Sequence, residues 1–161
     1  MTELPAADLF LCFNMFGYFE RKGLLLRRMK ERLLPNGSIV IRQYDGATMR
    51  LGRMHHEARL RIDMALYAGV GASRQFGHYA MDDTLGAVAD AGFPRVEIEF
   101  ETFFRLSPFS DEFQPYLQGT LEWITNYVGD AANADVRRWF ERATRETLHY
   151  FSEIDVVCWI S

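Results

Sequence analysis

The sequence predicts an α/β protein built on a largely parallel sheet, and three observations carry that prediction. The run Leu9-Phe10-Leu11-Cys12-Phe13 is apolar at every position, the pattern of an interior strand covered on both faces. An amphipathic helix over Glu20 to Leu34 follows, with Leu25, Met29 and Leu33 on one stripe and Arg21, Arg28 and Arg32 off it. Next, Ser38-Ile39-Val40-Ile41-Arg42 carries the β-branched residues of a second strand after the turn residues Pro35-Asn36-Gly37. Strand, helix, strand is a βαβ unit, whose crossover makes the two strands parallel and right-handed.

The remaining elements follow from the same periodicities. Met54 to Leu66 places Ala58, Ile62, Ala65 and Leu66 on one side of a helix that Gly69 and Gly71 would end. Asp82 or Asp83 is suited to cap a helix over Thr84 to Ala91, closed by Gly92. Val96 to Phe104 alternates apolar residues with Glu97, Glu99 and Glu101, as a strand with one wet face does, and three glutamates suit an edge. Phe113 to Val128 and Ala134 to Leu148 read as two helices joined at Gly129-Asp130, and Ile154 to Ile160 as a terminal strand.

A chain of 161 residues that is 48% hydrophobic is long enough to bury a core and reads as one domain over 1–161. A net charge of -4 gives no reason to approach phosphate backbones or anionic membranes, so no nucleic-acid or membrane partner is expected. Cys12 and Cys158 each lie in an apolar run and read as small core residues, with neither disulfide nor metal site. Met1 to Asp8 lacks a basic segment before an apolar run, and no stretch is long enough to span a bilayer, so a cytoplasmic protein is expected. The basic cluster Arg21, Lys22, Arg27, Arg28, Lys30 and Arg32 reads as the solvated face of the crossover helix.

Three local segments give this order a family likeness. Asp8-Leu9-Phe10-Leu11-Cys12-Phe13-Asn14 resembles the fourth strand of class I, Rossmann-like S-adenosylmethionine-dependent methyltransferases. Leu33-Leu34-Pro35-Asn36-Gly37-Ser38-Ile39-Val40-Ile41 resembles that family's "L-x-P-G-G-x-L-V-I" turn, with Asn36 in place of the first glycine. Tyr79-Ala80-Met81-Asp82-Asp83 and then Ala91-Gly92-Phe93 resemble the segment ahead of its sixth strand. The likeness implies the C-terminal half of the family's sheet, with strands resembling the fourth to the seventh. The family's glycine-rich strand-turn-helix, which holds the cofactor, is not seen before Asp8, and Gly69-Val70-Gly71 opens no such unit.

About fifty residues part Phe104 from the last strand, where the family has a hairpin. The segment 110–149 is therefore expected to be a helical insertion, serving as a substrate lid or an interface. Methyl transfer from a sulfonium needs an aligned nucleophile in a dry site and at most a base, so few motifs are expected. By resemblance, Asn14, Met15 and Tyr18 border the cofactor's methyl group, Asn14 also adjoining the acceptor as a catalytic residue. His78 is the candidate base, since an imidazole titrates near neutrality. Tyr79, Tyr116, Trp123 and Tyr127 are candidates for the acceptor site, where aromatic faces attract cations and stack on flat groups. The ordinary alternatives are a turn residue for Asn14, a surface-loop histidine for His78 and core packing for the aromatics. His55 and His56 are adjacent and so point apart on a helix, which excludes a shared metal. His149 and Tyr150 read as the cap of the preceding helix.

The expectation drawn from the sequence is one subunit of a split, heteromeric methyltransferase. It would contribute the acceptor half for a small molecule, with S-adenosylmethionine held mainly by a partner chain. The rivals are a non-catalytic methyltransferase-like subunit that stabilises or regulates a complete partner, and a homodimer pairing its exposed strands.

Overall fold

The computed structural model describes residues 4–44, 48–73 and 81–161. In chain order come β1 (Ala7–Phe13), α1 (Lys22–Arg32), β2 (Leu33–Tyr44), β3 (Arg50–Gly52), α2 (His56–Ala72) and α3 (Met81–Asp90). Then follow β4 (Val96–Leu106), α4 (Gln114–Tyr127), α5 (Asp130–Ala143) and β5 (Tyr150–Ile160). The fold is α/β, as the sequence predicts. It divides into two compact units: the described residues of Met1–Asp45, Arg74–Glu101 and Asp155–Ser161, and those of Gly46–Ser73 and Thr102–Ile154. The strands β4 and β5 pass through both.

In the first unit the strand order is β1-β2-β5-β4. The predicted parallel pair is present, with Leu9 opposite Ser38 and Phe13 opposite Arg42. β5 runs antiparallel to β2, setting Ile39 against Ile160 and Tyr44 against Asp155. Arg95 and Ser161 exchange both backbone hydrogen bonds, at 3.2 and 3.0 Å, so β4 is antiparallel to β5 as well. α1 and α3 pack together, and Leu26, Met29 and Val88 bury one face of the sheet with Cys12, Ile39, Ile41, Val156, Cys158 and Ile160. Lys30 reinforces the pair by donating from its ammonium to the carbonyl of Gly92 at 2.7 Å.

Two expectations about this sheet change. Among the described residues β1 is an end strand and not an interior one. Alternation sends Phe10 and Cys12 to the helix-covered face and Leu9, Leu11 and Phe13 to the other, where they are 50%, 54% and 53% exposed. β4 is an edge, as its glutamates indicate, but its apolar positions Val96, Ile98 and Phe100 are also exposed, because the core beneath α1 and α3 draws on β1, β2 and β5 and stops short of β4.

The turn at Pro35-Asn36-Gly37 is absorbed into β2, which begins at Leu33 and shifts register between the pairs at Ala7 and Leu9. Asn36 accommodates this with a φ of 65°. Asp82 and Asp83 fall in the first turn of α3, where carboxylates suit the helix dipole, and Gly92 closes it at φ 64°. Lys22, expected on a solvated face, is buried; desolvation lowers its pKa, and the charge of Asp83 opposes that shift.

In the second unit β3 pairs antiparallel with the start of β5, Arg50 opposite Ser152. α2 packs against α4 and α5. It runs on through Gly69 and Gly71, which the sequence reading takes as its end. A Cβ at Gly69 would fall 1.9 Å from the carbonyl oxygen of Tyr127, so this glycine is a point of close helix approach and not a stop. α2 buries Ile62, Leu66 and Val70, and α4 buries Leu117, Leu121 and Ile124, at the spacing of helix faces. α5 starts earlier than expected, with Asp130 in its first turn behind Gly129, and ends at Ala143. Among the described residues no helix is long and apolar enough to cross a membrane.

Candidate functional site

The carboxyl end of β1 gathers three of the predicted site residues. Asn14 leaves the strand with φ 50°, a left-handed conformation that asparagine tolerates better than most side chains, and its N–H donates to the carbonyl of Arg42 at 2.8 Å. That reversal starts a single 3₁₀ turn, Phe16–Tyr18, anchored by the fully buried Phe16. The N–H of Gly17 donates to Oε1 of the buried Gln43 at 3.0 Å. Met15 and Tyr18 are thereby left exposed beside Asn14 at one end of the parallel pair. The geometry is that of a rigid, backbone-anchored turn presenting a carboxamide, a thioether and a phenol.

Next to Asn14 along the sheet, Arg42 and Asp155 form an ion pair with a short hydrogen bond. Burial pushes the Asp155 carboxyl up, outweighing the opposing pull of Arg42, and the charge of Glu101 adds to the rise.

Tyr116, Trp123 and Tyr127 all lie on α4 in the second unit. The Tyr116 hydroxyl donates to the Glu153 carboxylate at 2.7 and 2.8 Å, and its ring packs with Phe103, Phe113 and Phe151 at centroid distances of 6.0, 5.7 and 6.1 Å. Trp123 and Tyr127 meet at 5.0 Å. These aromatics thus form two groups on one helix, Tyr116 half-exposed at the edge of the Phe103, Phe113 and Phe151 cluster and the other two as a pair. His78 and Tyr79 lie outside the described residues.

The second unit also holds a cavity of about 320 Å³ that sequence reasoning missed. Arg53, Arg61, Arg138 and Arg142 line it, with Asp135, His149 and an apolar wall of Met54, Ala58 and Trp139. Asp135 is buried and holds two of the guanidiniums, Arg61 at 2.8 Å and Arg138 at 3.0 Å. Arg142 grips Glu146 through two bonds, at 3.1 and 3.0 Å. Those bonds, with a further one to His149, draw the Glu146 carboxyl down to about 2. Arg53 has φ 32° and donates to the carbonyl of Thr147 at 3.2 Å. Trp139 is pinned by its indole N–H, which donates to the carbonyl of Gly52 at 2.6 Å.

His149 corrects its reading as a helix cap. It begins no helix end but lies just before β5, fully buried, its N–H donating to Ser107 Oγ at 2.9 Å and its carbonyl accepting from the Ser107 N–H at 2.7 Å. Its Nε2 faces Glu146 at 3.1 Å, and its Nδ1 has no hydrogen-bond partner among the described residues. His55 is the N-cap residue of α2 and His56 its first residue, and among the described residues no group of three metal-ligating side chains converges.

No family profile and no curated protein sequence matches this chain. Among solved structures it is similar to a Bacillus halodurans protein named as a methyltransferase, at TM-score 0.51 and 10% identity, over 99% of this chain and 72% of that one. It is also similar to Haemonchus contortus phosphoethanolamine N-methyltransferase 2, at TM-score 0.47 and 13% identity, once in complex with phosphomonomethylethanolamine and S-adenosylhomocysteine and once with S-adenosyl-L-methionine. All of this chain, or 99% of it, is covered there, but it spans only about a third, 35% and 34%, of those two chains. The first similarity establishes a methyltransferase-like fold.

Proposed function

We propose that this chain is the acceptor-side portion of an S-adenosylmethionine-dependent methyltransferase acting on a small molecule, completed along β1 by a second polypeptide that carries the main cofactor-binding elements. One observation carries the reading: the half-exposed row Leu9, Leu11 and Phe13 on an end strand that pairs on one side only among the described residues. Such a strand is a template for another chain, and an uncovered apolar row on its face is a surface that association would remove from water. A complementary strand and helix laid against β1 would satisfy both needs.

The turn at the end of β1 fits the sulfonium part of the cofactor. Tyr18 offers a ring face, Met15 a polarizable sulfur, and Asn14 a carboxamide able to accept from or donate to a neighbouring nucleophile. S-adenosylmethionine, when bound, supplies a methyl group on a positively charged sulfur. The task of these residues is to border that group, to orient the acceptor's nucleophile behind it, and to keep water out.

A non-catalytic subunit is the competing reading, and the engagement of Arg42 with Asp155 and of Gln43 with Gly17 favours it, since it ties up polar groups next to Asn14. The two are separated by co-expressing the chain with the reading frames adjacent to its own and purifying through a tag on this chain alone. A co-purifying chain that binds S-adenosylmethionine, with methyl transfer that Asn14→Ala abolishes, supports the catalytic reading. Micromolar, saturable binding of the cofactor by this chain alone overturns the split arrangement, and full activity of the partner alone overturns a catalytic role.

A further inference from the structure

From the charge balance around the 320 Å³ cavity of the second unit we infer a binding site for a small molecule bearing a phosphate monoester. This goes beyond the proposed function and stands without it, since every residue it uses lies in the second unit. Four guanidiniums, those of Arg53, Arg61, Arg138 and Arg142, line the space, and the carboxylates that engage them are two, Asp135 and Glu146. Four positive less two negative charges leaves an excess of two, with the histidines counted neutral.

A phosphate monoester brings about -1.5 to -2 at neutral pH, which matches that excess, whereas a carboxylate brings one charge. Guanidiniums are also the side chains best shaped to bind such oxygens through paired N–H bonds.

The cavity is built and not merely left over. Asp135 pre-positions Arg61 and Arg138, so the two need little ordering when a ligand arrives. The buried Nδ1 of His149 has no partner among the described residues, and buried polar atoms in folded proteins are rarely left so. Met54, Ala58 and Trp139, also in the lining, offer apolar surface for the organic part of the molecule. The volume sits at the lower end of the roughly 300–1,000 Å³ typical of small-molecule sites, enough for a compact metabolite.

The test is direct binding of inorganic phosphate to the purified 161-residue chain, followed by calorimetry and by tryptophan fluorescence, with acetate at matched ionic strength as comparator. Saturable one-site binding of phosphate is expected, acetate weaker by at least about tenfold, and Arg53→Gln weakening phosphate by about tenfold. Arg53 is the informative position because its head engages only the Thr147 carbonyl in the bonds described above, so its removal orphans no carboxylate. Arg27→Gln, on α1 in the first unit, is expected to bind as the parent does.

Phosphate and acetate binding equally, or Arg53→Gln and Arg27→Gln behaving alike, overturns the inference. So does the absence of saturation. The assay uses neither cofactor nor partner. Failure here therefore leaves the methyltransferase reading standing, and phosphate binding without methyl transfer by the co-purified complex removes that reading and leaves this site.

Discussion

Replacing Leu11 with aspartate separates what the chain needs in order to fold from what it needs in order to associate. Leu11 is 54% exposed, so the isolated chain has already gained only about half of the 1.5–3 kcal/mol that full burial of a leucine is worth. Cutting it to aspartate then costs folding about 1 kcal/mol, a shift of a few degrees in melting temperature for a domain of this size. Association is a different matter. If a partner covers Leu9, Leu11 and Phe13, the three together gain about 2–4 kcal/mol by losing their remaining exposure, and a buried, unpaired carboxylate at the centre of the row costs several kcal/mol more. A cost of that size raises a dissociation constant by roughly a hundredfold or more.

The assay is a pair of measurements on Leu11→Asp: the melting temperature of the chain alone, and the dissociation constant for the co-purified partner by calorimetry. A small change in the first and loss of the second is the expected outcome. An unchanged dissociation constant would refute the reasoning, because it would mean that no partner covers this face. A collapse in melting temperature would refute it differently, by showing that Leu11 is already part of the chain's own core.

Further outcomes follow from single residues. Gly69→Ala sets a Cβ against the Tyr127 carbonyl and should destabilise by about 1–3 kcal/mol, while Gly71→Ala, whose Cβ meets nothing within 4 Å among the described residues, should stabilise by up to about 1 kcal/mol; chemical denaturation compares them. Cys12 and Cys158, buried and with thiol pKa values pushed up to about 11, should resist alkylation in the native protein at pH 8 and react only after denaturation, as mass spectrometry would read. Glu146, whose carboxyl is drawn from about 4.5 to about 2 by Arg142 and His149, contributes stability that is present above 4.5 and lost as the pH falls towards 2. Its replacement by glutamine should flatten the acid limb of the melting-temperature profile across that window.

What the sequence discloses depends on whether a pattern reports on its own residue or on a distant one. The runs at Leu9–Phe13, Ile39–Ile41 and Val156–Ile160 become strands because apolar and β-branched residues state a local preference, and their order β1-β2-β5-β4 matches the methyltransferase likeness drawn from the same segments. Alternation in β4 tells that Val96, Ile98 and Phe100 share a face, but not whether anything covers that face, and it is open. Gly69 looks like a helix end for the same reason: a glycine that stops a helix and one that lets a second helix approach are the same letter, and only Tyr127 on α4 distinguishes them.

The candidate site divides along the same line. Asn14 was legible because a polar turn residue after an apolar strand acts on its own backbone, and its φ of 50° is that local effect realised. The cavity was not, because Arg138 and Arg142 have the spacing of an ordinary solvated helix face, while Arg53 and Arg61 come from α2 and the segment just before it, more than seventy residues away in the chain. His149 was hidden by its neighbours in sequence. Its backbone is held by Ser107, 42 residues away, which accepts from the His149 N–H through its hydroxyl and donates its own N–H to the His149 carbonyl. Of the pairs that set the excess of two, Arg138 with Asp135 and Arg142 with Glu146 are local, and only Arg61 with Asp135 joins distant parts of the chain, so it is the gathering of the four guanidiniums round one cavity on which the phosphate assignment turns. That excess is a property of the fold, invisible in a chain whose total charge is -4.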